Sequence, residues 1–583
     1  MALDQSSIGD PGLPWDKSYP PGVAWDGPVL QEPLYLAFDR AVAGYGGQPC
    51  LDFLGKRYSY QQVSDLVDRA ARGFQDLGVR KRTRVALFLP NTPYYVICYF
   101  ALMKLGAIVV NVNPLYAEEE VLDLLADSGA EVAVTLDLKL LLPKLVTAFK
   151  KTALKKIVVC TMGDVLRFPK RQLFAIAKRG ELAKMPKEDG YLAFARMIDN
   201  DGRFEPAEVT VDDVAVLQYT GGTTGTPKGA MLTHGNLSAN TSQLWTWFIG
   251  AEMGKERMMA VLPLFHVFAM TVIMHLGIRG AAEIVLLPRF EITMLLKAIA
   301  RTKPTCFPGV PTLYNAIIHY PKLAQYDLSC INYCLSGGAS LPQEVREGFQ
   351  NLTGCNVLEG YGLSETSPVV TCNPLIGTQK DGSIGLPMPG TTIEIRSLDD
   401  PDKLMPLGEV GEICIRGPQV MAGYWQRPEE TAQTLRAGSV HTGDVGYMDE
   451  EGYTFLIDRL KEVIISGGYN VYPRHIEEAI YRHPLVAEVT VIGVPDDYRG
   501  EVPKAFIRLK EGEHLTLEAL QDFLEDKLSP MEMPRQAEFR DELPKTMIGK
   551  LSKKELIAEE RAKHAAASSP QQAGSVSQGQ ERS

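Results

Sequence analysis

No CxxC pair occurs in this chain. Its nine cysteines are scattered from Cys50 to Cys414, and the closest two are Cys330 and Cys334. An odd number without paired spacing excludes a disulfide framework and a zinc site, and it fits a reducing compartment. The opening stretch, MALDQSSIGDPGLPWDKSYPPG, lacks a basic region followed by an apolar core, so no secretory signal is expected. Uninterrupted apolar runs of membrane length are also missing. Residues 258–278 come nearest, but Pro263, His266, Thr271, His275 and Gly277 break them. Polar groups in a bilayer are costly, so this stretch reads as a buried strand followed by a buried helix. Positive charge is in deficit: 60 Lys and Arg against 71 Asp and Glu leave a net charge of −11. The global field that polyanion binding needs is absent, which argues against nucleic acid as the main partner and leaves only local basic patches open. No internal repeat is visible. What remains is an ordinary globular composition, 45% apolar and 22% charged over 583 residues, too long for one core. A cytoplasmic place is expected.

Residues 1–33 are rich in Pro, Gly and Asp and read as an extended arm. Beyond them, helical and strand patterns alternate: helix 61–79, strand 84–90, helix 93–106, strand 107–113, helix 121–129, strand 131–136. This rhythm predicts βαβ units and a largely parallel sheet covered on both faces. The alternation continues through strand 281–288, helix 291–301, strand-like CFPGVP (306–311), strand 331–338 and helix 342–353. From about Ser383 short strands of alternating polarity, TTIEIRS, GEICIRGP and YTFLIDR, predict a small barrel-like or antiparallel part. The fold class is therefore α/β: a large N-terminal domain (34–460) of βαβ subdomains with a β-barrel-like part, then a small mobile α+β domain (461–563). Residues 564–583, mostly Ala, Ser, Gln and Gly, read as a disordered tail.

The strongest local signal is LQYTGGTTGTPKGAMLTHGNL (217–237). A strand runs into a loop carrying Thr220, Gly221, Gly222, Thr223, Thr224 and Gly225, with Lys228 close behind, and then into a helical start. Glycines let backbone N–H groups wrap phosphate oxygens, threonines add donors and the lysine adds charge. It is not a Walker A loop, because Thr226 and Pro227 separate Gly225 from Lys228. A nucleotide polyphosphate is the expected guest.

At this loop the chain resembles the adenylate-forming superfamily, which includes acyl-CoA synthetases. Further motifs follow in the family's order: SGGAS (336–340), LEGYGLSETSPV (358–369), HTGDVGYMDEEGY (441–453), IDRLKEVIISGGYNVYP (457–473) and ELPKTMIGKLSKKEL (542–556). The resemblance implies that backbone at Gly338 and Ala339, with Glu359, Tyr361 and Gly362, lies against adenine. Tyr361 offers a flat stacking face. Thr366 donates to the α-phosphate, and Glu365, with Thr223, supplies hard oxygen ligands for Mg²⁺. Asp444 accepts from the ribose hydroxyls and Arg459 contacts ribose or phosphate. Lys461 is the hinge, and Gly467 and Gly468 line the CoA path after the small domain swings. Lys550 reaches the substrate carboxylate and α-phosphate, offsetting charge in the transition state. Here the chain departs from the family, which commonly has Arg a few residues later, so Lys545, Lys553 and Lys554 stand as rivals. His266 is either a gate at the acyl site or a satisfied core histidine. The Met, Phe, Val and Leu around it line a tunnel or are core.

The implied reaction is activation of a long-chain fatty acid by ATP to an acyl-adenylate and then to acyl-CoA. The closer match, to bacterial long-chain fatty-acid–CoA ligases, rests on SYPPG, VNVNPLY (110–116), GSIGLPMPG (382–390) and GPQVMAGYWQRPE (417–429). Medium-chain or aryl acids stay open, as do a ligase that loads a carrier protein, a membrane transporter and a homodimer. Between Lys144 and Lys187 the chain is basic, with Phe168, Leu173, Phe174 and Ile176 interleaved. This is either a solvated helix face or a peripheral contact with an anionic membrane.

Overall fold

The computed structural model describes residues 12–220, 227–467, 469–496, 498–546 and 549–568. The chain forms two compact units, Met1–Leu456 with Met547–Lys550, and Ile457–Thr546 with Leu551–Ser583.

In the larger unit the predicted βαβ rhythm appears as a seven-stranded sheet. Its order is Tyr191–Ala193, Lys156–Cys160, Val132–Leu136, Arg84–Phe88, Ile108–Asn111, Val214–Thr220 and Lys228–Thr233. All neighbours run parallel except the last two, which form an antiparallel hairpin. Parallel strands covered on both faces must be apolar throughout, which is why these segments read as continuous runs. Helix Tyr60–Asp76 starts at Ser59, whose side chain accepts from the Gln62 N–H while Gln62 returns a bond to the Ser59 N–H. Helix Pro93–Lys104 is buried on almost every face, so no polar stripe marks it.

A second sheet joins Arg257–Ala260, Glu283–Leu286, Pro49–Phe53 and Lys56–Ser59. The stretch that imitates a membrane span is a buried strand, Arg257–Ala260, followed by buried helical turns, Val267–Ala269, Met270–His275 and Leu276–Arg279. The middle turn is π-helical. Among the described residues no helix is long and apolar enough to cross a membrane. CFPGVP is not a continuous strand: Cys306 and Gly309 make isolated bridges only, because Pro308 and Pro311 have no N–H to donate.

The barrel-like part does not close. Those strands extend an open nine-stranded sheet that begins at Cys334–Ser336 and ends at Thr392–Arg396. Register shifts at Ser383/Gly385 and Glu412/Cys414 bend it, but no pairing joins its first strand to its last among the described residues. The antiparallel expectation holds for its later strands. The N-terminal arm is anchored by aromatic residues: Trp15 is buried, Tyr19 donates to the Pro387 carbonyl at 2.5 Å, and Trp25 donates to that of Thr391 at 2.7 Å.

The smaller unit is α+β. Strands Val486–Asp496 and Gly500–Leu509 form its central hairpin, helices Pro473–Tyr481 and Leu517–Leu524 pack with them, and Ile476, Val491, Ile507 and Leu520 fill the core. A last helix, Lys553–Ser568, runs past His564 and was not anticipated.

Candidate active site

The phosphate-type loop springs from the hairpin Val214–Thr220 and Lys228–Thr233, in which Thr220 lies opposite Lys228 and Tyr219 opposite Gly229. Gly221, Gly222, Thr223, Thr224 and Gly225 lie outside the described residues. What the hairpin ends carry is clear. The segment 421–425 runs alongside: Met231 N–H donates to Gly423, Ala422 N–H to Met231, and Trp425 N–H to Gly229. This pairing brings Tyr424 over Lys228, whose Nζ sits 5.4 Å from the ring centroid. The Tyr424 hydroxyl donates to Glu365 Oε1 at 2.7 Å, and Met421 N–H donates to the Glu365 carbonyl at 2.8 Å. Burial and the neighbouring Glu365 charge both push the Tyr424 pKa upward, so it remains a donor. Lys228, Tyr424 and Glu365 therefore form one cluster. Sequence reasoning missed Tyr424, although it stands within GPQVMAGYWQRPE, one of the segments that carry the closer family match.

Thr366 is fully buried beside Glu365. Its hydroxyl lies 2.6 Å from the Pro368 carbonyl and accepts from Leu363 N–H at 3.0 Å, so it is engaged within its own turn. Gly362 has a strict steric reason: a Cβ there would lie 1.8 Å from the Pro368 carbonyl oxygen.

On the next strands Tyr361 donates to Asp444 Oδ2 at 2.6 Å, joining two motifs far apart in sequence. Asp444 is buried and its N–H donates to Thr442 Oγ1 at 2.9 Å. Glu412, which the motifs did not single out, holds this turn by accepting from Gly443 N–H at 2.9 Å and facing His441 Nδ1 at 2.8 Å. Cys414 completes that cluster 3.4 Å from His441, and these hydrogen bonds account for it. Gly338, at φ +78°, lies in the turn leading to half-buried Ala339, and Glu359 steadies that turn by accepting from Leu341 N–H at 3.2 Å.

His266 caps the helical turn that follows it, its Nδ1 accepting from Phe268 N–H at 3.3 Å. Burial, and then the positive charge of Lys550, push its pKa down to about 4. Lys550 thus lies within electrostatic reach of His266, in the 547–550 piece of the larger unit. Thr312 Oγ1 donates to the Gly549 carbonyl at 2.6 Å and seats that piece. Two of the three rival lysines are engaged elsewhere. Lys545 pairs with Glu488 at 2.6 Å, and Lys553 pairs with Glu462 and Glu477, both at 3.0 Å. Lys554 is exposed.

Arg459, Lys461 and Gly467 belong to the smaller unit, all exposed at the surface. Gly467, at φ +58°, donates its N–H to the Arg499 carbonyl at 2.8 Å. Gly468 lies outside the described residues.

The larger unit also holds a narrow apolar pocket, whose empty space with the open solvent at its mouth is about 430 Å³. Trp245, Phe248, Met258, Val272, Leu276 and Leu335 are among its walls. Leu335 links it to the motif face, because its Cδ1 would lie 2.9 Å from a Cβ on Gly360.

A family model described as AMP-binding enzyme matches residues 38–425, and one described as AMP-binding enzyme C-terminal domain matches residues 475–550. The chain belongs to the AMP-binding enzyme family. This AMP-binding enzyme is 42% identical to a long-chain-fatty-acid–CoA ligase of Bacillus subtilis over 555 residues, covering 94% of this chain and 99% of the relative. It is 38% identical to the ligase of the same name from Escherichia coli O6:H1, covering 94% and 98%. Among solved structures it is similar to the anthranilate CoA ligase AuaEII in complex with anthranoyl-AMP, at 27% identity and TM-score 0.83, covering 93% and 99%. ATP-bound MatB from Rhodopseudomonas palustris follows at 26% identity and TM-score 0.79, covering 91% and 99%.

Proposed function

We propose that this AMP-binding enzyme activates a long-chain fatty acid with ATP and transfers the acyl group to CoA. The observation that carries the long-chain reading is the 42% and 38% identity, over 94% of the chain, to relatives named long-chain-fatty-acid–CoA ligase. The apolar pocket that reaches Gly360 through Leu335 is in keeping with it.

In the first step a carboxylate oxygen of the acid attacks the α-phosphorus of ATP. The bond from that phosphorus to the bridging oxygen breaks, and pyrophosphate leaves. Gly338, Ala339, Glu359, Tyr361 and Gly362 form the adenine side, and Asp444, oriented by Tyr361, takes the ribose hydroxyls. The loop Thr220, Gly221, Gly222, Thr223, Thr224 and Gly225, with Lys228, holds the phosphates. Lys550 offsets negative charge as the acid and α-phosphate join. Thr366 reaches the α-phosphate only by exchanging its bond to Pro368 for one to phosphate. Glu365 fits Mg²⁺: it is a hard carboxylate whose Oε1 is fixed by Tyr424, leaving Oε2 as a further ligand atom. With Thr223 it would hold the ion, which neutralises phosphate charge when bound. His266 is neutral at pH 7 and sits as an uncharged gate beside Lys550.

In the second step the CoA sulfur attacks the acyl carbon, the bond from that carbon to the phosphate oxygen breaks, and AMP leaves. Lys461, Gly467 and Gly468 serve this step from the smaller unit, with Lys461 as pivot, and Arg459 contacts ribose or phosphate. The enzyme works in the cytoplasm, peripheral to the inner face of an anionic membrane.

The test is product analysis with purified protein, ATP, Mg²⁺ and palmitate, with and without CoA. Palmitoyl-CoA and CoA-dependent AMP release are expected. Acyl-adenylate that accumulates regardless of CoA overturns the second step and points to a carrier-protein acceptor.

A further inference from the structure

Phe168, Leu173 and Ile176 are 74%, 61% and 78% exposed. Among the other exposed aliphatic and phenylalanine side chains described, the next is Leu404 at 56%. Three such side chains within nine residues are a concentrated patch, not the scatter of single apolar groups found on any surface. Leu173 and Ile176 belong to helix Lys170–Ala177, and their spacing puts them on one face. The helix is anchored beneath that face. Phe174 packs against the core, Lys170 Nζ donates to the Leu54 carbonyl at 2.7 Å, and Arg171 pairs with Asp164 at 2.9 Å. Local charge also runs against the rest of the chain. Residues 167–187 carry seven cations and one acid, Glu181, in a protein of net charge −11.

We propose that helix Lys170–Ala177 with Phe168 is the element that docks this enzyme on an anionic lipid bilayer. Phe168, Leu173 and Ile176 enter the acyl boundary, while Arg167, Lys178 and Arg179 meet the phosphate headgroups. Apolar tips ringed by cations match a surface that is anionic outside and hydrocarbon inside. The inference rests on the proposed function in one respect: a long-chain acid is dissolved in that same bilayer, so docking shortens its path.

The experiment uses the full chain and sedimentation with phosphatidylglycerol–phosphatidylcholine vesicles, against phosphatidylcholine alone. Binding to the anionic vesicles is expected, with release by high salt. Leu173→Glu/Ile176→Glu and Lys178→Glu/Arg179→Glu should each weaken the partition coefficient roughly tenfold or more, whereas Leu404→Glu leaves it unchanged. Acyl-CoA formation from detergent-dispersed palmitate should stay at the wild-type level in all three, which also shows that they fold. No vesicle binding, or binding that the helix variants do not alter, overturns the proposal. A dimer in solution that the helix variants dissociate, with vesicle binding unchanged, assigns the patch to a second copy and also overturns it. Vesicle binding without ligase activity leaves the docking element standing and removes the proposed function instead.

Discussion

The motif face proposed to hold the nucleotide and the apolar pocket lie side by side in the larger unit, yet they are written into the chain in opposite ways. The face is assembled from short contiguous motifs: Tyr361 bonds Asp444, and Tyr424 bonds Glu365 through its hydroxyl while Lys228 lies over its ring. The cavity takes its walls from scattered positions such as Trp245, Met258, Leu276 and Leu335. The difference is physical. A phosphate or ribose is recognised by directed donors and acceptors at fixed places, so few residue types serve. A hydrocarbon chain is recognised by volume, which many combinations of side chains supply.

The largest effect expected on the nucleotide side comes from Lys550→Ala. Pyrophosphate release should fall by about 10²–10³-fold, with little change in thermal stability. Lys553→Met, three residues on, should destabilise the smaller unit by stranding Glu462 and Glu477, and a calorimetric scan separates the two outcomes. Equal losses of activity at unchanged stability would return Lys553 to candidacy. Next comes Asp444→Asn, for which kcat/KM for ATP should drop roughly 10–100-fold while the ranking of acids by length is unchanged. A shifted ranking would break the separation between face and cavity.

Tyr424→Phe removes only the hydroxyl on Glu365. About a five- to tenfold loss in kcat/KM is expected, together with a higher Mg²⁺ requirement. On the cavity side, a Cβ at Gly280 would meet the Trp245 ring at 2.6 Å. Gly280→Ala should therefore favour shorter acids and Trp245→Ala longer ones, each by roughly three- to tenfold in relative kcat/KM and with KM for ATP constant. A chain-length series that neither variant moves would place the acyl chain elsewhere.

The smallest effect is on pH dependence. Burial pushes His266 and His234 down to about 4 and His275 to about 3. The unfolded chain, with histidines near 6.5, binds more protons between these values than the folded one does. Stability is therefore full above pH 6.5 and falls as pH drops toward 4. His275 Nε2 lies 2.9 Å from the Tyr99 hydroxyl, and His275→Gln, which can keep a bond there, should make that acid-side fall in Tm shallower. An unchanged slope would mean that His275 protonates freely in the folded protein.

The parallel sheet and the buried helix Pro93–Lys104 were legible because burial on both faces forces apolar runs. The strand Lys228–Thr233 was not, because only its pairing with Val214–Thr220 makes that segment extended before the helix begins at His234. The open end of the second large sheet was not legible, since closing or not closing depends on pairing between strands distant in the chain. Tyr424 was missed for a related reason: an aromatic between glycine and tryptophan carries no chemistry until the segment 421–425, running beside Lys228, turns it onto Glu365.

By itself, then, the sequence determined the strand–helix alternation of the parallel sheet, the family to which its motifs belong and the basic, apolar-studded stretch around Phe168. These depend on local pattern and composition. Tertiary structure alone decided which lysine stands beside His266, which tyrosine holds Glu365, and that Leu173 and Ile176 face outward while Phe174 faces in. Each of those outcomes depends on neighbours that only folding brings within reach, and a hydrogen bond or an apolar contact has no meaning until its partner is there.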